Sequence, residues 1–121
     1  MRRRRINTKP EPMNEDKVDP DRLLSQIAQE QAEWSQATFG TDEERGPLGA
    51  LLHLEKEAQE AQACPDDASE YADCLLLILD AARRAGFGTN ELLQHTYDKL
   101  QVCKKRNWPK PKPDQPVEHI R

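Results

Sequence analysis

The chain has few aromatics, no long apolar run and no paired-cysteine motif. Phe, Tyr and Trp make up 5% of its 121 residues, so stacking platforms are scarce and each one must be accounted for individually. No stretch approaches the roughly 20 consecutive apolar residues that a membrane-spanning helix needs. The opening MRRRRINTKPEPMNEDK also lacks the apolar segment of a secretory signal. A cytoplasmic protein with no membrane partner is expected. Cysteine occurs three times, at Cys64, Cys74 and Cys103, an odd count without CxxC spacing; free thiols are expected and a structural zinc site is not. The formal net charge is -4, which argues against a nucleic-acid polymer as a stable partner.

One third of the residues are charged, and they are arranged with helical periodicity. Residues 1–18 carry an arginine run among polar residues without periodic apolar positions, the composition of a disordered, solvated tail. From residue 19 the pattern changes. Asp19 and Pro20 suit the start of a helix and Gly40 its exit, with Leu23, Ile27 and Trp34 on one face. A second helix fits residues 48–63, with Leu51, Leu54, Ala58 and Ala61 as its stripe. Asp67 opens a third helix that Gly86 closes, and its run Leu75 to Leu79 makes it the expected centre of the core. Thr89 opens a fourth helix with Leu92, Leu93, Tyr97 and Leu100 as its apolar positions. The tail WPKPKPDQPVEHIR alternates proline with polar residues and should be extended. The expected architecture is an all-α, four-helix bundle-like domain over 19–108, followed by a proline-rich tail over 109–121. So apolar a third helix calls for more cover than three short partners give, and a homodimer or homotetramer is expected.

Acids interrupt this pattern where a core helix should not have them. Glu57 and Glu60 lie three apart on the second helix and so share a face; Glu70 and Asp73 do the same on the third. A short connection makes these helices antiparallel neighbours, which brings the four carboxylates together. Like charges in one partly buried site disfavour ionisation. Hard oxygen donors of this kind suit Mg²⁺, with Mn²⁺ as the alternative. An isolated ExxE pair is usually a solvated face, as Glu30 and Glu33 on the first helix illustrate, and Glu55 points away from the acid face. Two pairs on adjacent helices are the stronger signal. Asp80, two turns beyond Asp73, is read as the ion-pair partner of Arg83 or Arg84.

WSQATFG, HLEKEAQEA, EYADCLLLILDAARRAGF and KKRNWPKPKPDQPVEHIR occur in this order between Trp34 and Arg121. Together they resemble the MazG-type all-α nucleoside triphosphate pyrophosphohydrolases, most closely the phage and prophage dATP/dGTP diphosphohydrolase family. The resemblance implies Mg²⁺-dependent hydrolysis of a purine deoxynucleoside triphosphate to its monophosphate and pyrophosphate. It implies Glu57, Glu60, Glu70 and Asp73 as metal ligands, with Glu57 or Glu60 as the general base. It places the phosphate contacts at Lys99, Lys104 and Arg106, although Cys103 stands where the family pattern has asparagine. Trp34, His53 and Trp108 are the candidate contacts for the base. The alternatives are a non-catalytic helical assembly module and a nucleotide-binding regulatory module.

Overall fold

A computed structural model describes residues 19–121; the expectation of a disordered stretch over 1–18 lies outside the described residues. A 3₁₀ turn, Pro20–Arg22, precedes four helices: α1 (Leu23–Phe39), α2 (Leu48–Ala63), α3 (Ala68–Arg84) and α4 (Thr89–Lys105). The all-α, four-helix expectation holds. Asp19 caps the 3₁₀ turn by accepting from the Asp21 amide, with Pro20 in its first position. Gly40 ends α1 at φ +112°, and Gly86 follows α3 at φ +98°; both angles favour glycine because a Cβ would be strained there. Asp67 caps α3, its Oδ1 accepting from the Ser69 amide at 3.0 Å.

The chain divides into two units, one ending at Thr89 and the other spanning Asn90–Arg121. In the first, α3 is central and both α1 and α2 pack against it. The composition of its buried side differs from the expectation. Leu79 is buried, but Leu75, Leu76 and Ile78 are exposed, while Glu70, Asp80 and Arg84 are buried. Helical geometry explains this. At 100° per residue, Glu70, Leu77, Ala81 and Arg84 fall on one side and Leu75 is turned well away from it, while Leu79 is buried on the opposite side of the helix. The side that meets α1 and α2 therefore carries acids and an arginine, and the apolar run is divided between inside and outside.

A charged network ties this unit together at the C-terminal end of α3. Asp80 Oδ1 accepts from Gln31 Nε2 at 2.9 Å, Ser35 Oγ at 2.6 Å and an Arg83 terminal nitrogen at 2.6 Å. Its Oδ2 accepts from Arg84 Nε at 3.0 Å. The rest of the Arg84 guanidinium donates to Ser35 Oγ and to the carbonyls of Gly40, Thr41 and Arg45. Arg83 Nε meets both oxygens of Asp42 at 3.1 Å. Burial pushes the Asp80 carboxyl up, but the hydrogen bonds from Ser35, Gln31, Arg83 and Arg84 outweigh it and hold the group well below the usual carboxylate range. Asp80 thus holds α1 directly, and Arg83 and Arg84 hold the α1–α2 loop.

In the second unit the tail does not run straight out from α4. The Ile120 amide donates to the Asn107 carbonyl at 2.6 Å in an antiparallel bridge. Trp108 Nε1 donates to the Cys103 carbonyl at 2.7 Å, and the Trp108 and His119 rings meet edge to face at 5.8 Å. Proline removes amide donors along the intervening segment, so closure falls to the residues at its two ends.

Candidate active site

On α3, Glu70 and Asp73 are one turn apart near the N-terminus; on α2, Glu57 is half-buried toward the C-terminal half. Antiparallel packing brings them together. Ligand oxygens of Glu57, Glu70 and Asp73 lie within 4.8 Å of one another, and Glu70 is only 1% exposed. A carboxylate so completely withdrawn from water needs a compensating charge or proton. Glu60 lies beside Glu57 and acts on it directly: the Glu57 carboxyl is pushed up first by burial, then by hydrogen bonding and charge from Glu60 and by Asp73, with His53 opposing. The neighbouring Cys74 thiol is also pushed up, by burial and by the charges of Glu57, Asp73 and Glu70.

The donor set fits a hard divalent cation. It consists entirely of carboxylate oxygens at spacings that one or more Mg²⁺ or Mn²⁺ ions can bridge, and the cluster's own repulsion is what a cation relieves. A lone carboxylate on a solvated face would not be pushed up as Glu57 is.

Beside the acids is a cleft of about 300 Å³ between α1, α2 and α3. Glu57 and Asp73 form part of its wall, with His53 from α2 and Leu76 and Leu77 from α3. On the α1 side stand Trp34 and Phe39, their rings in edge contact at 5.4 Å and 88°. Trp34 is 58% exposed, high for a tryptophan on a helix face opposite other helices. Gln31, Ser35 and Asp80 line the same cleft, where their hydrogen bonds to one another fix its polar side. His53 Nε2 lies 3.2 Å from Glu57 Oε1, one helical turn along α2.

Of the residues singled out in the sequence, Glu57, Glu70 and Asp73 converge, Glu60 stands next to Glu57, and Trp34 and His53 border the adjoining cleft. Lys99, Lys104, Arg106 and Trp108 belong to the second unit, where Lys99 and Lys104 are exposed and Arg106 is half-buried. Gln31 and Ser35 escaped the sequence reading. Their partner Asp80 lies 49 and 45 residues away, and no local spacing announces such a pairing.

Comparison with known proteins agrees with this geometry. The chain resembles the Eaa protein of Salmonella phage P22, with 44% identity over 95 residues. That match covers 78% of this chain, which spans 29% of the relative's length. Among solved structures, a MazG-like pyrophosphohydrolase of cyanophage S-2L, bound to dGDP and three catalytic Mn²⁺ ions per active site, superposes with a TM-score of 0.64 at 26% identity. This match covers 81% of the present chain and 97% of the cyanophage one. The family model for dATP/dGTP pyrophosphohydrolases matches residues 27–121, a segment that contains the acid cluster, the cleft and α4. The chain belongs to the dATP/dGTP pyrophosphohydrolase family.

Proposed function

We propose that this protein hydrolyses a purine deoxynucleoside triphosphate to the monophosphate and pyrophosphate, with Mg²⁺ or Mn²⁺ as cofactor. The observation that carries the reading is the convergence of Glu57, Glu70 and Asp73 at the wall of a cleft bordered by exposed aromatic rings, in a member of this family. Glu57, Glu60, Glu70 and Asp73 would hold the cation. When bound, it supplies charge neutralisation and Lewis acidity at the α-phosphoryl group. In the reaction, water oxygen forms a bond to the α-phosphorus while the bond from that phosphorus to the α–β bridging oxygen breaks. Pyrophosphate leaves with the electron pair, and a carboxylate of Glu57 or Glu60 takes the water's proton. The raised Glu57 carboxyl suits a proton acceptor, because a base poised nearer neutrality transfers protons more effectively.

Lys99, Lys104 and Arg106 are assigned to the β and γ phosphates on their charge. Trp34, His53 and Trp108 are the candidate contacts for the base, and the exposure of Trp34 favours it over a core role. Residues 19–108 would then constitute the catalytic domain, with 109–121 as its tail. A homodimer or homotetramer is supported by the apolar side chains left exposed on α2 and α3, among them Leu48, Leu51, Leu52, Leu75 and Ile78. No described helix is long and apolar enough to cross a membrane; the free cysteines favour a cytoplasmic setting, and the net charge disfavours a nucleic-acid polymer as partner.

Incubation with dATP, dGTP, dCTP and dTTP at fixed Mg²⁺, with product identification, tests the reading. Monophosphate and pyrophosphate from the purine substrates are expected. Orthophosphate with a nucleoside diphosphate, or nucleotide binding without any product, would overturn it.

A further inference from the structure

His53 stands one turn before Glu57 on α2, and its Nε2 lies 3.2 Å from Glu57 Oε1. An ionised carboxylate only accepts hydrogen bonds, so the imidazole must carry a proton on Nε2 and donate it. The imidazole is largely exposed, with 58% of its side-chain surface open, whereas the Glu57 side chain is 15% exposed. Packing therefore does not hold the ring in place. The hydrogen bond gives it a direction, and that bond ends on an acid of the Glu57, Glu70 and Asp73 cluster.

We propose that His53 is a positioning residue that orients the Glu57 carboxylate for the divalent cation. This rests on the metal-dependent reading of the cluster given above. Glu57 has three side-chain torsions, and in the metal-free protein the negative charges of Glu70 and Asp73 within 4.8 Å favour rotamers that turn it away. A donor on the same helix face opposes that drift from the outside. It engages one oxygen at one of its lone pairs, and a carboxylate has about four such sites. Partners of a metal ligand act in this way, lowering the reorganisation needed when the ion arrives. Such partners are worth about 10- to 100-fold in metal affinity, and the exposure of His53 places it at the low end of that range.

Direct titration of the full-length protein with Mn²⁺, following the free ion by electron paramagnetic resonance, gives a readout independent of turnover. His53→Ala is expected to weaken Mn²⁺ binding about tenfold. His53→Gln, whose Nε2 can reach the same oxygen, should recover most of that loss. In turnover assays the Ala variant should need more Mn²⁺ for half-maximal rate. Wild-type Mn²⁺ affinity in His53→Ala would overturn the positioning role, and a raised nucleotide KM beside it would leave His53 as a base contact alone. Failure of His53→Gln to restore affinity would also overturn it. Absence of Mn²⁺ binding by the wild-type protein would instead remove the metal reading of the cluster, and the positioning role with it.

Discussion

Replacing Arg84 by Met should cost this fold about as much as truncating a buried leucine. The guanidinium is 1% exposed and donates five hydrogen bonds, one to Asp80, one to Ser35 and three to the carbonyls of Gly40, Thr41 and Arg45. Methionine fills a similar volume and keeps the helix, so the loss isolates these polar contacts. Breaking a buried ion pair from one side costs about 3–5 kcal/mol, because the remaining charge stays buried. Arg83 still donates to Asp80 at 2.6 Å, which places the expected loss near the lower end, at about 3 kcal/mol. Against a total stability of about 5–15 kcal/mol for a domain of this size, that is a large share. At about 4–8 °C per kcal/mol, the melting temperature should fall by about 12–24 °C. Arg84→Lys keeps the charge but not the planar fork, so it should lie between Met and wild type. Urea unfolding at fixed protein concentration, followed by far-UV circular dichroism in EDTA, measures both. In a double-mutant cycle, Asp80→Asn and Arg84→Met should be non-additive by about 1–3 kcal/mol. A loss below about 1 kcal/mol for Arg84→Met, or simple additivity in the cycle, would refute the account of this network as the tie between α3, α1 and the α1–α2 loop.

Two carboxyls should give the metal-free protein opposite pH responses. Asp80 is held below its ordinary range, so its contribution is complete at neutral pH and drains away as pH falls below the unfolded value of about 4; Asp80→Asn should flatten that acid limb of a stability curve. Glu57 is pushed above its ordinary range, so its ionisation costs stability as pH rises out of the carboxylate range, and saturating Mg²⁺ should remove that slope. Mn²⁺ at 100 times its dissociation constant should stabilise the wild-type fold by about 2.7 kcal/mol, and Glu70→Gln should abolish most of this gain in a thermal-shift assay; an equal shift in the variant would remove Glu70 from the ligand set. The Cys74 thiol, pushed up by burial and by the neighbouring acids, should react with iodoacetamide at neutral pH more slowly than glutathione does; peptide mapping of the alkylated protein reads this directly.

The helices were legible because their ends carry local chemistry. Asp19, Gly40, Asp67 and Gly86 act where their residue types predict, and each needs only its near neighbours to do so. The acids were legible for a related reason, since a three-residue spacing fixes a shared face without knowledge of the rest of the chain. The composition of the core was not. Leu75 to Leu79 is an unbroken apolar run, but a helix presents only some of any five consecutive residues to one partner, and which side wins depends on what α1 and α2 bring to it. They bring Gln31, Ser35 and Glu57, and the buried side of α3 answers with Glu70, Asp80 and Arg84. Likewise Asp80 could be paired with Arg83 or Arg84 from their three- and four-residue spacings, but its contacts to Gln31 and Ser35 required the tertiary fold.

That arrangement gives α3 two charged ends with opposite requirements. Near its N-terminus, Glu70 and Asp73 bring ligand oxygens within 4.8 Å of those of Glu57, and ionised acids this close repel one another. Two turns further on, about 10 Å along the axis, Asp80 is saturated by donors from α1 and α3, and Arg84 binds the loop that leads into α2. The second end is neutralised by donors of the protein itself, whereas the first is read as a cation site. The Asp80–Arg84 network is attached to the same helix and to the loop that leads into α2, so it helps to hold the two helices in register. Arg84→Met should therefore weaken Mn²⁺ binding as well as stability, even though Arg84 lies outside the ligand cluster. In conditions where the variant remains folded, the free-ion titration that tests His53 should show this loss, and unchanged affinity would mean that the acid cluster is held by local packing of α2 on α3 alone.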